Sequence, residues 1–171
     1  MSMMQVFLIV ALSADGFIAK DPSAPSTSWT SKEDAAWFRQ KTKEAGVCVM
    51  GRKTFETIGR PLGGRLTVVL TQDKNYKLPV VADNLEISND EPEALLRKLE
   101  NRGFSQVAIC GGRSIYTLFM TKGLIDKLYL TIEPVIFGQG TKLFSESLDT
   151  KLKLLAVHSL SDQTKVLEYQ V

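Results

Sequence analysis

The sequence has little cysteine and almost no histidine: Cys48, Cys110 and His158 are the complete set in 171 residues. It contains no Cys-x-x-Cys, so a structural zinc site cannot be assembled and no metal is expected. Both cysteines lie inside apolar segments. Buried free thiols suit a reducing compartment, and a cytoplasmic location is expected. Long apolar runs are missing too. The longest, Val6 to Leu12, has seven residues, whereas a membrane span needs roughly 20. Met1 to Gln5 has no basic region, so a secretory signal is not expected. Neither sign of charge dominates: 21 basic residues face 19 acidic ones, for a net charge of +2. That balance argues against a nucleic-acid coat but leaves room for a local phosphate or carboxylate site. With no low-complexity tract, a disordered linker protein is excluded, and no internal repeat or long linker is found.

What remains has the composition of one globular domain, 44% hydrophobic and 23% charged, and residues 1 to 171 are read as such. Val6 to Leu12 reads as a strand buried on both faces, because its apolar residues run without alternation. Lys20 to Ser28, broken by Pro22 and Pro25, reads as a loop. Ser31-x-x-Asp34 resembles a capping box and starts a helix with Ala35, Phe38 and Thr42 on one face. Strands are expected at Val47 to Met50, Leu66 to Leu70 and Leu85 to Ser88. A short helix is expected from Arg52 to Ile58. Asp90-x-x-Glu93 is expected to cap a helix with Leu95, Leu96 and Leu99 inward and Gly103 beyond its end. Val107 to Cys110 is a strand, followed by Gly111-Gly112 and a helix to about Lys122. Lys127 to Glu133 is another strand. Lys153 to Leu160 and Lys165 to Val171 form a hairpin around Ser161 to Thr164. Strands alternating with helices predict an α/β fold with a central, mostly parallel sheet, flanking helices and an antiparallel carboxyl-terminal hairpin. Such sheets bind ligands beyond the carboxyl ends of their strands.

Two strand-to-helix junctions stand there. Gly111-Gly112 lets the backbone approach a ligand beside a helix N-terminus. Gly51-Arg52-Lys53-Thr54 adds two cations and a hydroxyl suited to phosphate. Together they favour a dinucleotide, although neither Gly-x-Gly-x-x-Gly nor a P-loop is present. Asp34, one helical turn before Phe38, is either a first-turn acid favoured by the helix dipole or a carboxylate at the edge of an apolar cleft. Arg60 and Arg65 flank a tight turn and are either surface cations or a fork for a carboxylate. Thr131, inside an apolar strand, needs a hydroxyl partner. His158 reads as structural. Ser13 and Ser114 have no nearby histidine, so a hydrolase dyad is not expected.

The segments from Trp29 through Asp34 and Phe38 to Thr42, from Val49 to Arg65, from Gly111 to Tyr116, and from Leu128 to Thr131 closely resemble the dihydrofolate reductase family. The matches run in order from about residue 6 to 133, and the Met50-Gly51-Arg52-Lys53-Thr54 to Arg60-Pro61-Leu62 block is the most specific. The resemblance implies that fold and NADPH-dependent reduction of dihydrofolate, with hydride delivered to C6 and a proton to N5. It implies catalytic roles for Asp34, Trp29 and Thr131. The substrate would be held by Ile9, Asp34, Phe38, Arg39, Ile58, Arg60, Arg65 and Thr131. NADPH would be held by Ala11, Ile18 and Ala19, by Gly51, Arg52, Lys53, Thr54 and Thr57, and by Leu70, Thr71 and Gln72. It would also meet Cys110, Gly111, Gly112, Arg113, Ser114, Ile115 and Tyr116. Gly16 to Trp29 would be a closing loop. Partners implied are dihydrofolate and antifolate inhibitors, with no nucleic acid or membrane, and a monomer rather than a dimer.

Some segments resemble a relative on the same fold, the reductase domain of riboflavin biosynthesis. These are Ser13 to Gly16 and the run from Pro134 through Gly138, Gly140 and Leu143 to Phe144. The alternative they imply is NADPH-dependent reduction of a ribosylamino-pyrimidine phosphate or another pteridine. A binding module without turnover is a third reading. The family's usual proline after the tryptophan is replaced by Thr30-Ser31-Lys32, and Cys110 stands where a larger aliphatic residue is usual.

Overall fold

The apolar run at Val6 becomes the centre of the sheet. In the computed structural model, which describes residues 3–171, strand β1 (Gln5–Ser13) pairs in parallel with β6 (Gln106–Ile109) on one side and β7 (Lys127–Glu133) on the other. A strand flanked and covered on both faces has no solvent side, which is why its hydrophobicity does not alternate. Outward from β6 lie β3 (Val47–Gly51), β4 (Leu66–Leu70) and β5 (Leu85–Ser88), all parallel. Beyond β7, β10 (Lys165–Gln170) and the edge strand β9 (Lys153–Ser159) run antiparallel. The full order is β5-β4-β3-β6-β1-β7-β10-β9. The expected mostly parallel sheet with an antiparallel hairpin is therefore present.

Successive side chains of β1 enter opposite layers. Val6 and Leu8 join the layer covered by α3 (Pro92–Asn101) and α4 (Arg113–Thr121), where Leu95, Leu99, Ile115 and Phe119 are buried. Phe7 and Ile9 join the layer under α1 (Lys32–Ala45) and α2 (Arg52–Ile58), with Met50 and Phe55. A side chain such as Leu99, with no exposed surface, contributes about 1.5–3 kcal/mol by burial.

Three local expectations are corrected. The segment read as an irregular closing loop contains a strand, β2 (Phe17–Ala19), paired antiparallel with β8 (Thr141–Lys142), and a 3-10 turn at Ser26–Ser28. Strands this short give no periodic signal. The Asp90-x-x-Glu93 box does not form. Glu91 is the N-cap of α3 and Pro92 takes the first helical position, where its preset φ suits the turn and its missing N–H is not needed. Asp90 is held instead by Ser88 and Lys98. Only half of the Ser31 box forms: Ser31 Oγ accepts the Asp34 amide at 3.1 Å, but the return bond from Asp34 is not made. The other elements match within one or two residues.

Candidate active site

The carboxyl ends of β1, β3, β4 and β6 open into a cleft of about 1540 Å³. Most residues expected at the site line it. Ile9 and Ala11 come from β1, and Ile18 and Ala19 from β2. Asp34, Phe38 and Arg39 come from α1. Gly51, Arg52, Lys53, Thr54, Thr57 and Ile58 come from the β3–α2 junction and α2 itself, with Arg60 and Arg65 from the turn that follows. Leu70, Thr71 and Gln72 end β4, and Cys110 to Tyr116 lead from β6 into α4. Two expected residues lie outside it. Trp29 packs edge-on against Phe137, ring centroids 5.1 Å apart, and lines a neighbouring cavity of about 730 Å³ with Lys20 and Asp21. Thr131 sits beneath the floor, 1% exposed, registered against Ala11 of β1.

Asp34 is the half-buried acid of the cleft. Burial pushes its pKa up, the Thr131 hydroxyl opposes that, and the charge of Glu133 raises it again. The Thr131 hydroxyl acts on the carboxylate without closing a well-formed bond; Oγ1 is buried without a hydrogen-bond partner. A proton is thus easier to place on Asp34 than on an ordinary aspartate. Tyr116 closes the cleft wall behind it. Its phenol donates to the Ile9 carbonyl at 2.8 Å, and burial holds its pKa well above the usual range, so it remains a neutral donor. Burial likewise pushes the Cys110 thiol up, leaving a neutral wall rather than a nucleophile.

The two phosphate-type junctions meet. The Gly51 amide donates to the Gly111 carbonyl at 2.8 Å, so the loops leading into α2 and α4 share one floor. Gly111 has φ 129°, a conformation that side chains disfavour. A Cβ on Gly112 would stand 3.0 Å from Thr54 Oγ1. The floor is therefore a shallow cradle without side chains, rimmed by hydroxyls and by Arg113 and Ser114. At its outer end Arg52 meets Asp73, Nη1 to Oδ2 3.3 Å, beside Thr71 and Gln72. This donor set fits an extended dinucleotide carrying an extra phosphate.

At the opposite end, the turn bearing the two arginines is fixed by Asn84, whose amide donates to Leu62 and Arg65 carbonyls at 3.0 Å each. Arg65 is 7% exposed. It spends one nitrogen on the Gly63 carbonyl at 2.6 Å and leaves Nε buried without a partner. His158 does not line the cleft; it is bonded to Glu168 at 2.8 Å on the hairpin, with its ring 5.0 Å from that of Trp37. Among the described residues no cluster of metal-binding side chains is found, and no helix is long and apolar enough to cross a membrane.

Comparison with known proteins agrees with this geometry. Residues 5–169 match the dihydrofolate reductase family. A dihydrofolate reductase of Buchnera aphidicola is 35% identical over 136 residues, covering 79% of this chain and 75% of its own. The solved dihydrofolate reductase of Enterococcus faecalis, complexed with NADP(H) and RAB-propyl, superposes with a TM-score of 0.76 at 25% identity over 97% of this chain and 95% of that one. A pyrimidine reductase-like protein of Corynebacterium diphtheriae has a TM-score of 0.76 at 19% identity over 98% of this chain and 91% of its own, a likeness of fold alone. The chain belongs to the dihydrofolate reductase family, as an NADPH-dependent oxidoreductase.

Sequence reading missed one acid. Glu133 is 2% exposed and bonded to Ser31, yet it reads locally as the polar end of a strand. The available signal was its place two residues after Thr131, which puts both on the same face of β7.

Proposed function

We propose that this chain reduces 7,8-dihydrofolate to 5,6,7,8-tetrahydrofolate, with net uptake of one hydride at C6 and one proton at N5. The single observation that supports this best is the raised, half-buried carboxyl of Asp34 in a cleft it lines together with the apolar Ile9, Phe38 and Ile58. Bound NADPH supplies the hydride. Gly111, Gly112, Arg113, Ser114 and Thr54 would hold its pyrophosphate. Arg52, Thr71 and Gln72 would hold the 2′-phosphate. Ala11, Ile18 and Ala19 would line the nicotinamide pocket.

The chain's own work is binding, orientation and proton control. Asp34 would accept paired hydrogen bonds from the 2-amino and N3 edge of the pterin, a geometry one carboxylate suits well. Its raised proton affinity suits it to assist protonation at N5. Thr131 would complete its unmade bond to Asp34 once the ring is bound. Ile9, Phe38 and Ile58 would clamp the ring and benzoyl group, with Arg39 at the mouth. Arg65 and Arg60 would meet the glutamate carboxylates. Trp29 and the segment from Gly16 would shield the reacting carbons from water.

The test is NADPH oxidation by the purified chain with dihydrofolate, run beside Asp34→Asn and a no-substrate control. Turnover falling at least about 100-fold in the variant, with NADPH Kd within twofold, is the expected result for a group acting on the reacting ring. NADPH binding with no dihydrofolate turnover by the wild type overturns the reading, and ribosylamino-pyrimidine phosphate becomes the substrate to assay.

A further inference from the structure

The N-terminus of α1 is closed in an unusual way. In a complete capping box the acid at the third helical position accepts the N-cap amide; here that acid is Asp34. The Ser31 amide goes elsewhere, donating to Glu133 Oε1 at 2.8 Å. Ser31 Oγ donates to the same oxygen at 2.8 Å and accepts the Asp34 amide at 3.1 Å. The other Glu133 oxygen accepts from Thr164 Oγ1 at 3.1 Å, and Thr164 is itself 2% exposed. Glu133 therefore joins three parts of the chain: β7, the first turn of α1, and the turn between β9 and β10. Among the described residues no lysine or arginine pairs with it. A buried carboxylate without a cation is expensive, and a leucine would fill the same space at lower cost. Three hydrogen bonds to its two oxygens offset that expense, and each donor lies far from it in sequence.

We propose that Glu133 is a positioning residue for Asp34: it takes the Ser31 amide in Asp34's place, locks the first turn of α1 to β7 and the terminal hairpin, and leaves the Asp34 carboxylate unshared in the cleft. This rests on the assignment of Asp34 as the pterin-binding acid. Thr131 and Glu133 leave β7 on the same face, so one strand carries both the hydroxyl aimed at Asp34 and the acid that secures its helix. The Glu133 charge also acts on Asp34 directly and disfavours its ionisation. The titratable groups that bear on Asp34 are Glu133 on β7 and the Tyr116 phenol on α4, while Thr131 supplies the neutral hydroxyl.

Glu133→Gln and Glu133→Leu separate the two effects. The glutamine keeps an oxygen for Ser31 and can donate to Thr164, so position survives and charge is lost. Its expected signature is a dihydrofolate KM within about twofold and a kcat–pH midpoint lower by about half a unit. The leucine removes both effects, and kcat/KM should fall about tenfold or more through misplacement of Asp34, with NADPH Kd within twofold. Each variant is assayed as the full chain across pH, beside Asp34→Asn. If Glu133→Leu does not fold, Ser31→Ala takes its place, removing the hydroxyl bonds while keeping the amide bond; dihydrofolate KM should then rise several-fold. Wild-type kcat, KM and pH midpoint in every Glu133 and Ser31 variant, with only thermal stability changed, would overturn the proposal. Loss of turnover in Asp34→Asn combined with that result leaves the Asp34 assignment standing and removes Glu133 alone. Wild-type turnover in Asp34→Asn removes the Asp34 assignment and the positioning role with it.

Discussion

Asp15 closes a clamp on Gly138, 123 positions further along the chain: its Oδ2 accepts the Gly138 amide at 2.7 Å. The other oxygen accepts the Phe137 amide at 3.1 Å and the Ser13 hydroxyl at 2.7 Å. The clamp ties the start of the segment containing β2 to the loop containing Phe137, whose ring packs on Trp29. The side wall of the cleft and its neighbouring cavity therefore share one latch.

Asp15→Ala should release that latch. The Phe137 and Gly138 amides should lose hydrogen-exchange protection, and kcat/KM for dihydrofolate should drop several-fold as the wall holding Ile18 and Ala19 loosens. The Ser13 hydroxyl, then the Gly138 and Phe137 amides, hold the Asp15 pKa below its ordinary 3.8. A depressed acid contributes stability above its unfolded value and loses it as pH falls through the folded value. In the wild type the same two amides should therefore stay protected at pH values above 3.8 and lose protection as pH falls below that value. Equal exchange in wild type and variant would contradict the latch.

The Asp15 and Glu133 contacts show which parts of this molecule were legible in the sequence. Continuous apolar runs at Val6, Val47 and Leu66 announced the parallel strands, because burial on both faces leaves a local mark. Gly51 and Gly111 marked the junctions, because close backbone approach excludes side chains. Glu133 left no such mark: Ser31 lies 102 positions away and Thr164 lies 31 away, and no local pattern encodes either bond. β2 and β8, of three and two residues, pair beside the Asp15 clamp and a close approach of Gly140 to the Ala19 carbonyl, contacts that no local pattern encodes. The start of α3 failed for a local reason, since Pro92 outweighed the acidic capping pattern.

Asp34→Asn should raise thermal stability at neutral pH while abolishing turnover. Burial, with Glu133 adding to it, raises the Asp34 pKa. A raised acid stabilises the fold fully below its unfolded value, near 3.8, and loses that contribution as pH rises through the folded value. The ionised form is thus the less stable one. The expected gain is about 2 °C in Tm at pH 7, shrinking toward zero near pH 4. A lower Tm for the variant at pH 7 would show that the charge at the helix N-terminus outweighs burial.

Asp73→Asn should tighten NADPH binding. Arg52 is shared between Asp73 at 3.3 Å and Glu56 at 4.0 Å, so a 2′-phosphate placed there competes with a carboxylate for the same guanidinium. The pair is exposed, and such pairs contribute about 0–1 kcal/mol, which limits the gain in Kd to about fivefold. NADH, lacking that phosphate, should gain less. Fluorescence titration with both cofactors measures the difference. Weaker NADPH binding in the variant would mean that Asp73 orients Arg52 rather than competing for it.

Arg65→Leu should separate folates from simple pteridines. The arginine is buried beside the Gly63 carbonyl with Nε unpartnered, and the Asn84 bonds hold its backbone in place without help from its side chain. Leucine keeps the apolar stem and removes the fork. A carboxylate bound by a guanidinium contributes about 1.5–3 kcal/mol, so dihydrofolate KM should rise by about 10- to 100-fold. A dihydropterin without the glutamate tail has no carboxylate to lose, and its kcat/KM should change less than threefold. The ratio of the two effects is the decisive quantity. Equal losses on both substrates would mean that Arg65 supports the cleft wall rather than the tail, and the carboxylate would then have to be sought at Arg60.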